Sequence, residues 1–223
     1  MREISPGIWS WATRHPEWHP GEFGAEVVSY ALRQGPDTLL IDPLLPEEKT
    51  QAFLGKLDAV VRGRLTIVIT LGYHTRSAAP LASHYEGTRH VEIIGPKAVE
   101  SRLPKGAPFK AISAGDTLPH GITAHAVGSP RRQELPLLVP KAKALVFADT
   151  IVEHGGELRL WDQRKQDAKR RRWTQERLIP SLEPLLELDF DRVLVTHGKP
   201  VLRGGRKALQ RALEAGGWYH PPA

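Results

Sequence analysis

Apolar positions along the chain fall into short runs separated by glycine, proline and acidic punctuation, and the period of each run predicts its element. Residues 27–32 and 38–41 are apolar and split by Gln34-Gly35-Pro36-Asp37, which reads as a hairpin of two strands. Residues 47–61 then place Phe53, Leu54, Leu57, Val60 and Val61 near helical spacing, so a helix follows. The β-branched run 65–70 suits a buried strand. A helix over 77–85, a strand over 91–94 ending at Gly95-Pro96 and a short helix over 97–102 come next. Residues 111–112, 123–127, 135–139 and 144–147 read as further strands, parted by turns at Gly115-Asp116, Pro119-His120-Gly121 and Pro140-Lys141. A basic helix over 174–188, interrupted by Pro180 and Pro184, precedes a strand over 192–196 and a last helix over 206–215. No internal repeat or long linker is visible. Hairpins mixed with strand–helix alternation predict an α/β (α+β) architecture, two sheets with helices outside them: a four-layer αββα sandwich.

Composition narrows this picture. A chain of 223 residues with 40% apolar content is long enough for one domain with a real core, so a single domain over 1–223 is expected. No apolar run approaches the ~20 residues needed to span a bilayer, and the start Met1-Arg2-Glu3-Ile4-Ser5-Pro6 has no apolar signal region; a soluble, cytoplasmic protein with no membrane partner is expected. Oligomeric state is not legible. The absence of cysteine removes disulfides, thiolate ligands and a cysteine nucleophile together, so any metal would have to be held by His and carboxylate.

Charge adds a weaker signal. Thirty-one Lys and Arg against 25 Asp and Glu leave +6. Much of the excess lies in one stretch, Arg164 to Trp173, which reads either as a solvated helix or insertion, or as a patch for phosphate or nucleic acid. Three of the six tryptophans, Trp9, Trp11 and Trp18, sit near the amino terminus, where they would wall a pocket, cover a sheet or join two copies.

Five segments carry a resemblance, at residues 39–43, 67–77, 123–130, 144–150 and 193–200. Thr38-Leu39-Leu40-Ile41-Asp42-Pro43 resembles the strand of metallo-β-lactamase fold proteins that ends in an Asp below the active site. The segment from Ile67 to Ser77 is similar to the strand and loop that carries Thr-His-x-His-x-Asp-His in that superfamily. Ala148-Asp149-Thr150 resembles the Gly-Asp pair whose Asp bridges metals, and Thr196-His197-Gly198 resembles the final His-Gly. The match runs in order over nearly the whole chain.

The resemblance implies a metal, usually zinc, that generates hydroxide from bound water and polarises a scissile oxygen. Aligned from Thr70, however, the ligand positions fall on Leu71, Tyr73, Thr75 and Arg76, with His74 one place off, and Gly128 stands where a further His belongs, three residues after His125. Asp149, His197 and His74 remain as candidate ligands for at most a single zinc or other divalent metal. Asp42 reads as a structural hydrogen-bonding residue. A cleft with Arg76 fixed in it, Tyr73 and Ser129 as donors and Arg131 or Arg132 nearby would instead hold a carboxylate or phosphate, so Tyr73, His74, Arg76, Ser129, Asp149 and His197 are the candidate ligand-binding residues. His74 with Asp149 could form an acid–base pair, but no nucleophile, and hence no catalytic residue, is identified. The other histidines, His15, His19, His84, His90, His120, His154 and His220, show no ligand spacing and are expected at the surface, and residues 216–222 carry no assignable chemistry. Three functions stay open: a non-catalytic or ligand-binding hydrolase homologue that has lost most metal ligands, a hydrolase with a remodelled one-metal site acting on an ester, thioester, amide or phosphodiester, and a nucleic-acid-associated protein.

Overall fold

Residues 1–19, 23–128, 134–162 and 164–220 are described in a computed structural model. The chain opens with β1 (Arg2–Ser5), β2 (Ile8–Arg14), β3 (Glu26–Gln34) and β4 (Asp37–Ile41), paired antiparallel in that order. From β4 onward the sheet turns parallel, because helices carry the crossovers. Helix α1 (Thr50–Asp58) leads to β5 (Leu65–Val68), and α2 (Ala78–Tyr85) leads to β6 (Val91–Pro96). A 3₁₀ turn over Lys97–Arg102 precedes β7 (Phe109–Ile112), which completes seven strands.

A second sheet begins with β8 (Thr117–Leu118), β9 (Ile122–Ala124), β10 (Leu137–Val139) and β11 (Ala144–Phe147). The chain then leaves it for a small hairpin, β12 (Ile151–His154) and β13 (Glu157–Trp161). A basic helical stretch follows as α3 (Ala168–Trp173), a π turn over Thr174–Leu178, α4 (Ile179–Leu182) and a 3₁₀ turn over Glu183–Glu187. Strand β14 (Arg192–Val195) returns to the second sheet beside β11 in parallel, in the order β14-β11-β10-β9-β8. Helix α5 (Gly205–Ala215) and β15 (Gly217–Trp218) close the chain, β15 joining β13 in a three-stranded sheet.

Alternation along the strands explains the layering. Odd positions of β4, Leu39 and Ile41, meet Tyr30, Leu32, Leu137, Val139, Val146 and Leu194 in the core between the two large sheets. Leu40 points the other way, with Leu57, Ile67, Ile69, Leu81 and Ile93 under α1 and α2. On the second sheet Leu145, Phe147, Val193 and Val195 face outward under Leu178, Leu182, Leu209 and Leu213. Both sheets are therefore apolar on two faces, which is why β5 and β11 are continuous apolar runs rather than alternating ones. The result is the expected αββα sandwich. The buried phenol of Tyr30 ties its layers together, donating to the Val195 carbonyl at 2.7 Å and accepting from the Val195 amide at 3.2 Å.

Several elements differ from the sequence reading. Strands β1 and β2 were hidden because the periodicity of residues 2–14 is broken by Pro6-Gly7. The hairpin β12–β13 turns on Gly155-Gly156, both at positive φ; β13 alternates buried with more exposed residues, while β12 runs from buried Ile151 and Val152 to exposed His154. Helix α1 is shorter than the 47–61 segment, and the basic run supplies α3 from Ala168 onward rather than a helix beginning at 174. Among the described residues no helix is long and apolar enough to cross a membrane.

Candidate functional site

Four strands deliver the site from their carboxyl ends, the place where parallel strands open toward a ligand. Asp42 follows β4, the 70–76 loop follows β5, Asp149 follows β11 and His197 follows β14. Asp42 is fully buried and takes φ 44°, a left-handed conformation that Asp tolerates better than branched residues. Its Oδ1 accepts from the Thr70 amide at 2.8 Å, and its Oδ2 accepts from the Thr70 hydroxyl and lies 3.1 Å from His74 Nδ1. The other ring nitrogen, His74 Nε2, lies 3.3 Å from Asp149 Oδ1. His197 Nε2 approaches the same oxygen at 3.7 Å. Arg76, also at positive φ, donates from its guanidinium to the Asp42 carbonyl at 3.2 Å.

Asp149 is held from below by Glu134. This buried carboxylate accepts from the amides of Ala148, Asp149 and Thr150 at 3.0, 3.3 and 2.9 Å and from the Thr150 hydroxyl at 2.6 Å. Burial, reinforced by Asp149, raises the Glu134 pKa against the pull of those donors. Sequence reasoning missed Glu134 because nothing in its spacing relates it to residues 148–150; only the adjacency of the 134 loop and the end of β11 does.

Charge balance sets the protonation states. Burial and Arg76 push the His74 pKa down, but Asp149 and Asp42 outweigh them and raise it, so His74 acts as a cation wedged between two carboxylates. Burial lowers Arg76 too, with Asp42 and Asp149 opposing, yet a guanidinium stays charged. Burial pushes His197 down to about 4 against Asp149, with Arg76, His74 and His15 adding to the drop, so His197 is neutral at pH 7. Its Nδ1 is buried without a hydrogen-bond partner among the described residues.

These opposite shifts predict a stability maximum near pH 6.5. Below 6.5 the unfolded chain protonates His197 while the folded one does not until about 4, so stability falls with pH through that window by about 3 kcal/mol. His74 contributes fully below 6.5 and loses its contribution as pH rises through its raised folded-state pKa. Urea denaturation across pH should show the acid limb flattened in His197→Asn and the alkaline limb flattened in His74→Gln. Superimposable profiles for wild type and His197→Asn below pH 6.5 would refute the assignment.

Around His197 the wall is aromatic. The Phe23 ring lies 5.6 Å from His197, 5.6 Å from Trp161, 5.3 Å from Trp218 and from His220, and 5.8 Å from His154. His154, exposed as expected, and His220, half-buried, belong to one ring cluster beside the site, and the 216–220 segment packs there. Their sequence positions gave no hint because β12, β15 and the loop before β3 meet only in the tertiary structure.

Of the candidate ligand-binding residues, His74, Arg76, Asp149 and His197 converge. Tyr73 does not: it is 60% exposed, lies under Arg102 at 4.4 Å, and shares no hydrogen bond or ion pair with the cluster among the described residues. Ser129, Arg131 and Arg132 lie outside the described residues. His125 bonds its neighbour Thr123 at 2.9 Å. The tryptophans separate: Trp11 is core, its indole donating to the Leu44 carbonyl at 2.8 Å, while Trp18 lies under Arg14. In the basic run, the buried carboxylate of Asp162 accepts from Arg170, Gln166 and the Arg164 amide, so part of that charge is spent inside the protein.

No protein-family model and no curated protein sequence matches the chain. Solved structures do. A metallo-β-lactamase from Hirschia baltica is 15% identical, covering 98% of each chain with a TM-score of 0.59. One from Pontibacter korlensis is 16% identical over 96% of this chain and 97% of that one, TM-score 0.62. The metallo-β-lactamase FIM-1 from Pseudomonas aeruginosa in its mono-zinc form is 13% identical over 96% and 93%, TM-score 0.60. The chain has the metallo-β-lactamase fold.

The metal centre implied by that fold does not fit these side chains. Leu71 is buried and apolar, Tyr73 faces solvent, and Arg76 brings a fixed positive charge beside the two carboxylates. Gly128 cannot be replaced by a ligand without rearrangement, because a Cβ there would lie 2.8 Å from Ser181, whose hydroxyl its amide donates to at 2.9 Å. Among the described residues no group of three or more His, Asp, Glu or Cys is arranged to hold a metal ion. Two carboxylates, Asp42 and Asp149, are instead compensated by His74 and Arg76.

Proposed function

We propose that this chain is a metal-free, non-hydrolytic binding protein on a metallo-hydrolase-like scaffold, taking a small molecule that carries a carboxylate or phosphate at Arg76. One observation carries the reading: His74 is wedged between Asp42 and Asp149, with Arg76 anchored on the Asp42 carbonyl, so protein cations occupy the electrostatic role of a metal. Neutral His197 adds an unpartnered acceptor, and the Phe23 cluster supplies an apolar wall beside it. A planar guanidinium suits the forked recognition of such anions, and its cost of burial is offset by the carboxylates around it.

The test has two arms on protein purified without a metal-binding tag. Zinc, iron and manganese are counted per chain, before and after zinc addition, in wild type and His197→Ala. Thermal unfolding is then followed with inorganic phosphate and with benzoate as probes. The reading expects substoichiometric metal and an anion-dependent rise in stability, about 2.7 kcal/mol at a hundred times the Kd, that disappears in Arg76→Gln. Near-stoichiometric metal lost in His197→Ala would return the one-metal hydrolase to the front, and equal stabilisation of wild type and Arg76→Gln would remove Arg76 from the binding role.

A further inference from the structure

At the opposite end of the sandwich, the two large sheets part between β6–β7 and β8 and leave a cavity of about 420 Å³. This lies within the range that small-ligand sites occupy. Its floor is Ile94, Ile112 and Leu118, all buried members of the core between the sheets. Its rim holds two cations, Arg64 and Lys110, and two carboxylates, Glu92 and Asp116. Arg64 and Glu92 stand 4.0 Å apart, and Glu92 also accepts from the Thr66 hydroxyl at 3.4 Å. Asp116 accepts from the Ser113 amide at 2.8 Å, while Lys110 makes no ion pair among the described residues.

A smaller chamber adjoins it, sharing Leu118 and Pro119. Its volume of about 10 Å³ is that of a single water. Into this chamber faces Gln34, 1% exposed, whose Oε1 has no hydrogen-bond partner among the described residues. Asp37, Thr38, Thr66 and His120 complete its polar lining, with His120 Nε2 3.1 Å from Asp37. A buried amide oxygen without a partner costs free energy unless water or a ligand reaches it.

We propose that this cavity binds a small zwitterion with an apolar body, the chemistry of an α-amino acid with a branched or aromatic side chain. The rim is neutral overall, so it exerts no net field on a simple anion or cation; Arg64 and Glu92 face each other at 4.0 Å, while Lys110 and Asp116 make no ion pair among the described residues. A carboxylate is matched by Lys110, an ammonium by Asp116, and the side chain covers Ile94, Ile112 and Leu118. Water in the adjoining chamber satisfies Gln34. This site is independent of the anion reading at Arg76: β4 and β5 start at this end and deliver Asp42 and Thr70 at the other.

Calorimetric titration of the full chain with L-leucine and L-phenylalanine, each at concentrations reaching several times about 1 mM, tests this. Isovalerate and isobutylamine serve as controls lacking one charge each. The proposal expects binding of the amino acids, at least tenfold weaker binding of either control, and at least a tenfold loss in Lys110→Glu, an exposed position, and in Asp116→Lys, whose folding is checked by its thermal midpoint because it also loses the bond from the Ser113 amide. Arg76→Gln should bind leucine as wild type does, which separates this cavity from the other site. Absence of binding by both amino acids, equal binding of the singly charged controls, survival of affinity in both charge reversals or its loss in Arg76→Gln would each overturn the proposal.

Discussion

Asp42→Ala is expected to destabilise the protein by about 4 kcal/mol, because it strips three buried groups of their shared acceptor and leaves the buried imidazole with one of its two carboxylates gone. The Thr70 amide, the Thr70 hydroxyl and His74 Nδ1 all converge on this one carboxylate, which is fully buried. Alanine would also have to adopt φ 44°, a further cost of about 1 kcal/mol. In thermal denaturation the midpoint should fall by roughly 10 °C for a chain of this size. Asp42→Asn should recover part of the loss, since an amide tolerates the same backbone and still accepts from the Thr70 amide, but it should lower the His74 pKa by removing one of the two carboxylates that raise it. NMR titration of His74 in the Asn variant reads that shift directly. A drop of less than about 1 kcal/mol in the alanine variant would mean that Asp42 does not organise the loop after β5.

Gly198→Ala should be comparably severe, at about 3 kcal/mol or more. Gly198 has φ 88°, and a Cβ there would lie 2.2 Å from the Glu153 carbonyl oxygen, so the turn after β14 could not keep its place on β12. That turn is pinned on both sides. The Glu153 amide donates to the His197 carbonyl at 2.9 Å, and the Lys199 amide donates to the Glu153 carboxylate at 2.6 Å. Displacing it moves His197 away from Asp149 and from Phe23, so the variant should lose stability and, on the proposed reading, affinity for the anion together. Chemical denaturation paired with the phosphate titration checks both. Wild-type stability in Gly198→Ala would show that the backbone can shift without cost and that the glycine serves some other end.

The same glycine illustrates how far linear reasoning reaches. His197-Gly198 was recognisable as a strand-end pair, but the reason for glycine is the approach of β12, a four-residue strand with no alternation to mark it. Gly128 is the converse case. It marks a missing ligand in the sequence, and in space it marks a contact with Ser181 that leaves no room for one. Arg76 and His74 were legible as residues facing the end of β5, since the loop after a buried parallel strand opens there. Tyr73 was not, because alternation in a short, turning loop is decided by hydrogen bonds such as His74 N to the Leu71 carbonyl rather than by period.

By itself the sequence determined the layering and the scaffold: continuous apolar runs at β5, β11 and β14 demand burial on two faces, and that demand admits few architectures other than helices outside paired sheets. It also determined that cysteine chemistry is absent, and it placed Leu71, Tyr73, Thr75 and Arg76 where the resemblance implies metal ligands. The tertiary structure alone decided what replaces them. Glu134 beneath Asp149 and His74 bridging two carboxylates join residues of different loops, and the cluster of Phe23, His154, Trp161, Trp218 and His220 joins residues from opposite ends of the chain. Local spacing carries no information about such pairs, whose meeting is set by the packing of one sheet on the other.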